Sequence, residues 1–212
     1  MEIKWIGQSS FLITDSRGIK IITDPFDESI GYKVFNEHAD IVTISHNHFD
    51  HNCTKYIKGN FKVINKTGNF IESGIKILGI PSFHDKCRGA KRGNNIIFTF
   101  EIDGFRICHL GDLGHYLSSD DMEKIGNIDV LFIPVGGNYT IDGKEASEIA
   151  KKINSHIVIP MHYKTPVLNL PLAGAEAFLS HMKNCEKIND NKIILKNKIS
   201  DSNKVEILDY TH

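Results

Sequence analysis

The sequence predicts an α/β (α+β) fold: a four-layer αββα sandwich with two sheets face to face and helices on their outer sides. Three observations carry this. Residues 3–26 hold short β-rich runs separated by turn signals, without helical periodicity. From about residue 118 onward, strand-like runs alternate with helical patterns. No linker, repeat or low-complexity stretch interrupts the 212 residues, which predicts a single domain spanning 1–212.

Taken in order, Ile3, Trp5, Phe11, Ile13, Ile19, Ile21 and Ile22 fall in β-rich runs. Gly7-Gln8-Ser9-Ser10 and Asp15-Ser16-Arg17-Gly18 read as hairpin turns between them. The run Ile21–Phe26 leaves its strand through Asp24-Pro25, and residues 27–39 read as an irregular excursion. Ile41–Ile44 is a strand, Thr54–Lys58 a short helix, and Phe61–Ile64 and Ile75–Ile80 are further strands. A glycine-rich basic loop follows at 86–93, and Asp103-Gly104 joins the strands Asn95–Glu101 and Phe105–Leu110 as a hairpin. Ser118–Ile125 is a short helix and Asp129–Pro134 a buried strand. Over Lys144–Asn154, Ala146, Ile149, Ala150 and Ile153 recur at helical spacing behind the capping pair Asp142 and Glu145. Ile157–Pro160 is a strand and Leu172–Met182 a helix; Ile193–Leu195 and Val205–Leu208 close the sheet edge.

Composition narrows the function. Hydrophobic residues make up 41% and charged residues 24%, ordinary for a globular protein. A net charge of −1 supplies no general field for nucleic acid or anionic membrane. No run approaches the length of a membrane span, and the N-terminus reads as a first strand and not a signal peptide. Cys53, Cys87, Cys108 and Cys185 form no C-x-x-C pair, so reduced thiols and a cytoplasmic location are expected. Leu168, Leu170, Pro171 and Leu172 mark a buried segment or a homo-oligomer interface.

The chemistry concentrates in Ser45-His46-Asn47-His48-Phe49-Asp50-His51-Asn52, directly after the strand 41–44. In extended chain, positions 46, 48 and 50 project to one side, and His51 joins them only if the backbone bends. Imidazoles and a carboxylate converging on a point suit zinc, and also accept iron, manganese or nickel. Other apolar strands also run into metal-competent residues: Phe83 into His84, Ile107-Cys108 into His109 and Asp112, and Ile159-Pro160 into His162. Ligands leaving strand ends can meet at one edge of a sheet. His84 and His109 compete for one ligand position. Asp24 is either an orienting partner for a metal-bound histidine or the cap of a turn before Pro25.

His46-x-His48-x-Asp50-His51, His84, Gly111-Asp112 and Pro160-Met161-His162 resemble the motifs of the metallo-β-lactamase superfamily. Trp5–Ile13, Thr23-Asp24-Pro25 and Pro134–Gly137 are similar to its small stand-alone branch, which includes L-ascorbate-6-phosphate lactonase and N-acyl-phosphatidylethanolamine phospholipase D. The resemblance implies a binuclear centre with two divalent ions, zinc by default. His46, His48 and His84 would hold one ion and Asp50, His51 and His162 the other, with Asp112 bridging. It also places His84, and not His109, in the ligand set. Two cations roughly 3.5–4 Å apart need an anionic bridge and lower the pKa of a shared water toward about 7. The expected activity is hydrolysis of a small phosphodiester, lactone or amide-like substrate by the bridging hydroxide, with Asp50 and Asp112 as catalytic carboxylates.

Around this centre, His115 is a candidate substrate contact, and Arg88, Lys91, Arg92 and Lys164 are candidates for a rim that binds an anionic small molecule. Tyr163 or Lys164 can polarise the scissile group. Gln8 stands where relatives often carry histidine, and the glycines that follow the motif in thioester hydrolases of the superfamily are missing after His51. The competing readings are a metal-binding regulator without turnover and a di-iron redox protein.

Overall fold

The structure, a computed structural model, describes residues 1–197 and 202–210. The first sheet is built from β1 (Glu2–Gly7), β2 (Ser10–Thr14), β3 (Lys20–Thr23), β4 (Ile41–Thr43) and β5 (Lys62–Ile64), with β13 (Lys192–Ile194) added beside β1. The second holds β6 (Gly68–Glu72), β7 (Ile75–Phe83), β8 (Asn94–Ile102), β9 (Phe105–His109), β10 (Val130–Pro134), β11 (Ile157–Met161), β12 (Asn184–Lys187) and β14 (Lys204–Ile207). Its order is β12-β14-β11-β10-β9-β8-β7-β6. The expected two-sheet sandwich is present.

Side-chain alternation explains the layering. Ile13, Ile21 and Ile41 join the core between the sheets, while their neighbours Leu12, Ile22 and Val42 pack into a second cluster. That cluster is completed by Phe26, Ile30, Tyr32 and Phe35, so the excursion at 27–39 is the cover of the first sheet's outer face. Its regular structure is one 3-10 turn, Glu28–Ile30. On the second sheet the cover is helical. α2 (Gly143–Ile153) packs on β10 through Ala146, Ile149, Ala150 and Ile153, and α1 (Ser119–Ile125) and α3 (Glu176–Leu179) complete the layer. Both α1 and α2 start with reciprocal capping boxes, Ser118 with Asp121 and Asp142 with Glu145.

Several local expectations are corrected. Thr54–Lys58 is a turn: Ile57 N donates to Thr54 O, but Lys58 N bonds Glu37 O and Ala39 N bonds Lys58 O. Five residues form too few helical bonds to compete with that pairing. The helix at Leu172–Met182 shortens to Glu176–Leu179, because Ala173 N bonds Gly136 O and ties the approach to another loop. Val205–Leu208 does not close an edge, since β14 pairs with both β11 and β12. The edge is β12, whose Asn184-Cys185-Glu186-Lys187 is exposed throughout and shows no apolar alternation. Leu168 and Leu172 are buried in the outer cluster of their own chain. Among the described residues, no helix is long and apolar enough to cross a membrane.

Strand direction positions the site. β1 and β3 are both antiparallel to β2, and β4 runs parallel to β3, so the segments after β1, β3 and β4 emerge at one end of the first sheet. In the second sheet β7 and β9 are both antiparallel to β8, and β9, β10 and β11 are parallel. Residues following β7, β9 and β11 therefore also share one end.

Candidate metal centre

Those strand ends bring together His46, His48, Asp50, His51, His84, Asp112 and His162, with Asp24 and Gln8 behind them. The backbone turns where the cluster requires it: His51 N donates to His48 O at 3.0 Å. This turn brings the His51 ring beside that of His46, with centroids 4.2 Å apart. Ligand-capable atoms of His46, His48 and His84 lie within 4.8 Å of one another, as do those of Asp50, His51 and His162. Between the two groups sits Asp112 Oδ2, at 3.1 Å from His84 Nε2, 3.2 Å from His162 Nε2, 3.3 Å from His51 Nε2 and 3.8 Å from His46 Nε2.

Asp24 with His46 and His51 forms a third such group. Its carboxylate is already committed, however. Oδ1 accepts from Ser45 N at 2.7 Å, and Oδ2 accepts from Ser45 Oγ at 2.6 Å and lies 2.9 Å from His51 Nδ1. Ser45 Oγ is in turn 2.9 Å from His46 Nδ1. Asp24 thus orients His51 directly and His46 through Ser45, the arrangement that fixes which ring nitrogen faces a metal.

The site's charge balance favours cations. Burial opposes ionisation of Asp112, but His162 and His51 outweigh it and hold its carboxyl well below the usual range. Asp50, also opposed by burial, is drawn down to about 2 by His51, and Asp24 is lowered by the same neighbour. Burial disfavours charge on His51, yet Asp112 and Asp50 keep its pKa well above the ordinary value. Burial pushes His46 down to about 3, with His51 adding repulsion, and burial also lowers His48. Three ionised carboxylates lie beside His46 and His48, whose lowered pKa values keep them neutral as metal ligands must be, while His51, held protonated by Asp112 and Asp50, would give up its proton to a bound cation. His51 Nε2 and Asp112 Oδ1 are buried without a hydrogen-bond partner. Orphaned donor atoms in a group of this composition fit divalent ions.

Local backbone choices make the convergence possible. Gly111 has φ +56, and a Cβ there would lie 2.3 Å from Asn95 Oδ1, the atom that accepts Asp112 N at 2.9 Å. A Cβ on Gly114 would lie 2.3 Å from the carbonyl carbon of His84. Gln8, Asp24 and His162 adopt φ of +50, +39 and +50, left-handed conformations that non-glycine residues seldom take.

Other candidate residues make their contacts elsewhere. His109 stands outside all three ligand groups: Nε2 is 2.7 Å from Ser9 O and Nδ1 accepts Gly111 N at 3.1 Å. His115 accepts Phe83 N at 3.2 Å and faces Tyr116 O at 2.8 Å, so both nitrogens bond the main chain. Lys164 is withdrawn from the expected rim, its ammonium bonding Leu168 O and Leu170 O. Tyr163 stacks on Trp5 in the core with ring centroids 5.4 Å apart. Arg88 is exposed on the 86–93 loop and is not gathered into the cluster.

The sequence marked Gln8 as part of a turn and as standing where relatives often carry histidine, with no sign of its contact to the centre. Fully buried, it donates from Nε2 to Asp50 Oδ2 at 3.1 Å, while its carbonyl accepts His162 N at 3.2 Å and Trp5 Nε1 at 3.0 Å. Ser45 and Asn95 were likewise unassigned, since only tertiary contact shows what they hold.

Comparison with known proteins agrees with this geometry. The family model of the β-lactamase superfamily domain matches residues 2–162. A UPF0173 metal-dependent hydrolase of Pelotomaculum thermopropionicum is 30% identical, the match covering 78% of this chain and 85% of the relative. One of Methanoregula boonei is 29% identical, covering 78% and 83%. A crystal structure from Thermotoga maritima, of a protein assigned to the zinc-dependent hydrolases of the metallo-β-lactamase superfamily, superposes with a TM-score of 0.85 at 41% identity, covering 99% of both chains. The chain therefore belongs to the β-lactamase superfamily domain family, within the metallo-β-lactamase superfamily, as a homologue of the UPF0173 metal-dependent hydrolases.

Proposed function

We propose that this protein is a cytoplasmic, single-domain metal-dependent hydrolase with two divalent ions, zinc by default, acting on a small phosphodiester, lactone or amide-like molecule. The observation that carries this reading is Asp112 Oδ2, which lies 3.1–3.8 Å from the Nε2 atoms of four histidines drawn from both ligand groups. A carboxylate in that position suits a bridge. His46, His48 and His84 would hold one ion, and Asp50, His51 and His162 the other. Bound there, two ions supply charge neutralisation for the scissile group and a water whose pKa falls toward about 7.

The chain's own groups do the rest. Asp50, ionised at neutral pH and held by Gln8, is the acceptor for the proton that the nucleophilic water gives up. Asp24 and Ser45 keep His51 and His46 facing inward. Four free cysteines support the cytoplasmic placement, because thiols persist in a reducing compartment.

The test is metal content followed by a screen of phosphodiesters, lactones and acyl amides on metal-loaded protein. About two ions per chain and turnover of one class are expected. Asp112→Asn is expected to lose an ion and activity together, and Asp50→Asn to lower kcat about 10²–10⁴-fold. Metal content near zero after loading at neutral pH would sink the reading.

A further inference from the structure

Beside His46 and His48 opens a cavity of about 650 Å³, a size suited to a small molecule. Its charge pattern is one-sided. Lys66 and Arg92 reach its lining from two separate segments, the connection between β5 and β6 and the loop between β7 and β8, and no aspartate or glutamate lines it. The lining also includes the amides of Asn65 and Asn94 and the hydroxyl of Thr67. In a chain of net charge −1, such a cavity is a local choice and not a reflection of overall composition.

Arg92 is fixed at the margin of the cavity by contacts on its far side. Its backbone N donates to Asp85 Oδ2 at 2.8 Å, and Nη2 donates to Asn138 O at 3.3 Å. The guanidinium lies 4.6 Å from the centroid of the Tyr139 ring. Asp85 also accepts the amides of Cys87, Gly89 and Lys91, so one carboxylate shapes the whole loop that carries Arg92. A cation fixed by stacking and main-chain bonds loses little freedom when it binds. Lys66 supplies a second, more mobile positive charge, its ammonium 6.0 Å from the centroid of the Phe70 ring.

We propose that this cavity anchors an anionic group of the substrate, a phosphate or a carboxylate, through Arg92 and Lys66, with the scissile bond reaching toward His46 and His48. This inference rests on the hydrolase reading for its purpose, though binding of the anion can be measured without turnover. Of the rim expected at Arg88, Lys91, Arg92 and Lys164 it keeps Arg92 and adds Lys66, which the sequence did not single out. Two cations in a cavity of this volume match one anionic group, not a nucleic-acid strand.

The experiment is an amide NMR titration of zinc-loaded protein, without excess zinc, using inorganic phosphate in one arm and acetate in the other. Saturable shifts are expected at Lys66, Thr67, Gly93 and Asn94, and the arm that saturates first identifies the preferred anion. The double variant Lys66→Ala/Arg92→Ala is expected to weaken binding about tenfold or more, as the loss of a charge-assisted hydrogen bond requires. The single variant Lys66→Ala removes an exposed side chain and provides a milder, partial loss if the double variant folds poorly. The proposal is overturned if neither arm moves these amides, or if phosphate binds the variants as tightly as the parent and so occupies the metals alone. Anion binding with two bound ions but no hydrolysis of any substrate class would instead sink the functional reading and leave the anion site standing.

Discussion

Replacing Asp24 by asparagine tests how the centre is held in place. The carboxylate is fully buried and makes three short contacts, to Ser45 N, Ser45 Oγ and His51 Nδ1, at 2.6–2.9 Å. Asparagine has nearly the same volume and tolerates the left-handed backbone at φ +39, so neither packing nor conformation should change much. What changes is the charge-assisted bond to His51 and the basicity it confers. Loss of such an orienting partner typically costs about 10–100-fold in metal affinity, or about 1.4–2.7 kcal/mol. The loss should fall mainly on the ion proposed at Asp50, His51 and His162. Ser45→Ala should also weaken binding, but mainly of the ion proposed at His46, His48 and His84, because Ser45 Oγ supports His46. Zinc titration against a chromophoric chelator resolves the two constants, and thermal unfolding of the metal-free variants checks that both still fold. Two unchanged constants in Asp24→Asn would refute the reasoning. So would equal losses for both ions in Asp24→Asn and Ser45→Ala, since the two residues would then not act on separate ligands.

Two further outcomes follow from single contacts. Gln8→Asn keeps a residue that accepts φ +50 but shortens the side chain below the reach of Asp50 Oδ2; weaker binding of the ion proposed at Asp50 is expected, with the other proposed ion unaffected, in the same titration. Asp85 has its pKa lowered from 3.8 to about 2, burial opposing and the amides of Arg92, Lys91, Cys87 and Gly89 prevailing. A depressed folded-state pKa stabilises above the unfolded value and is lost on acidification, so the stability gap between the parent and Asp85→Asn should narrow as pH falls from about 4 toward about 2. Urea unfolding of the metal-free proteins measures that gap, and a gap independent of pH would contradict the assignment.

Legibility differed between elements for physical reasons. The helix at α2 was readable because its apolar residues repeat at helical spacing behind a capping box, both local properties. The first sheet was readable as β but not as a two-faced layer. Ile21-Ile22 and Ile41-Val42 are apolar on both faces, so no alternation marks which side meets the other sheet. β12 was invisible because an exposed edge strand needs no apolar residues at all. The short helix expected at Thr54–Lys58 failed because its backbone groups found partners at 37–39, a contact that local propensity cannot report.

By itself the sequence determined the ligand types and much of their placement: three histidines and an aspartate within six residues, and further histidines and an aspartate just beyond strand ends. Those are local facts, set by residue identity and the period of the backbone. The resemblance implied His84 over His109 and Asp112 between the two groups; only the tertiary structure sets the distances that gather them and the contact by which Gln8 holds Asp50. It also exchanged Lys164 for Lys66 among the candidate anion contacts, because a flexible cation goes wherever the nearest carbonyls or open cavity draw it. Such choices depend on which strand ends the two sheets bring to one edge, a consequence of long-range pairing that no stretch of the chain carries alone.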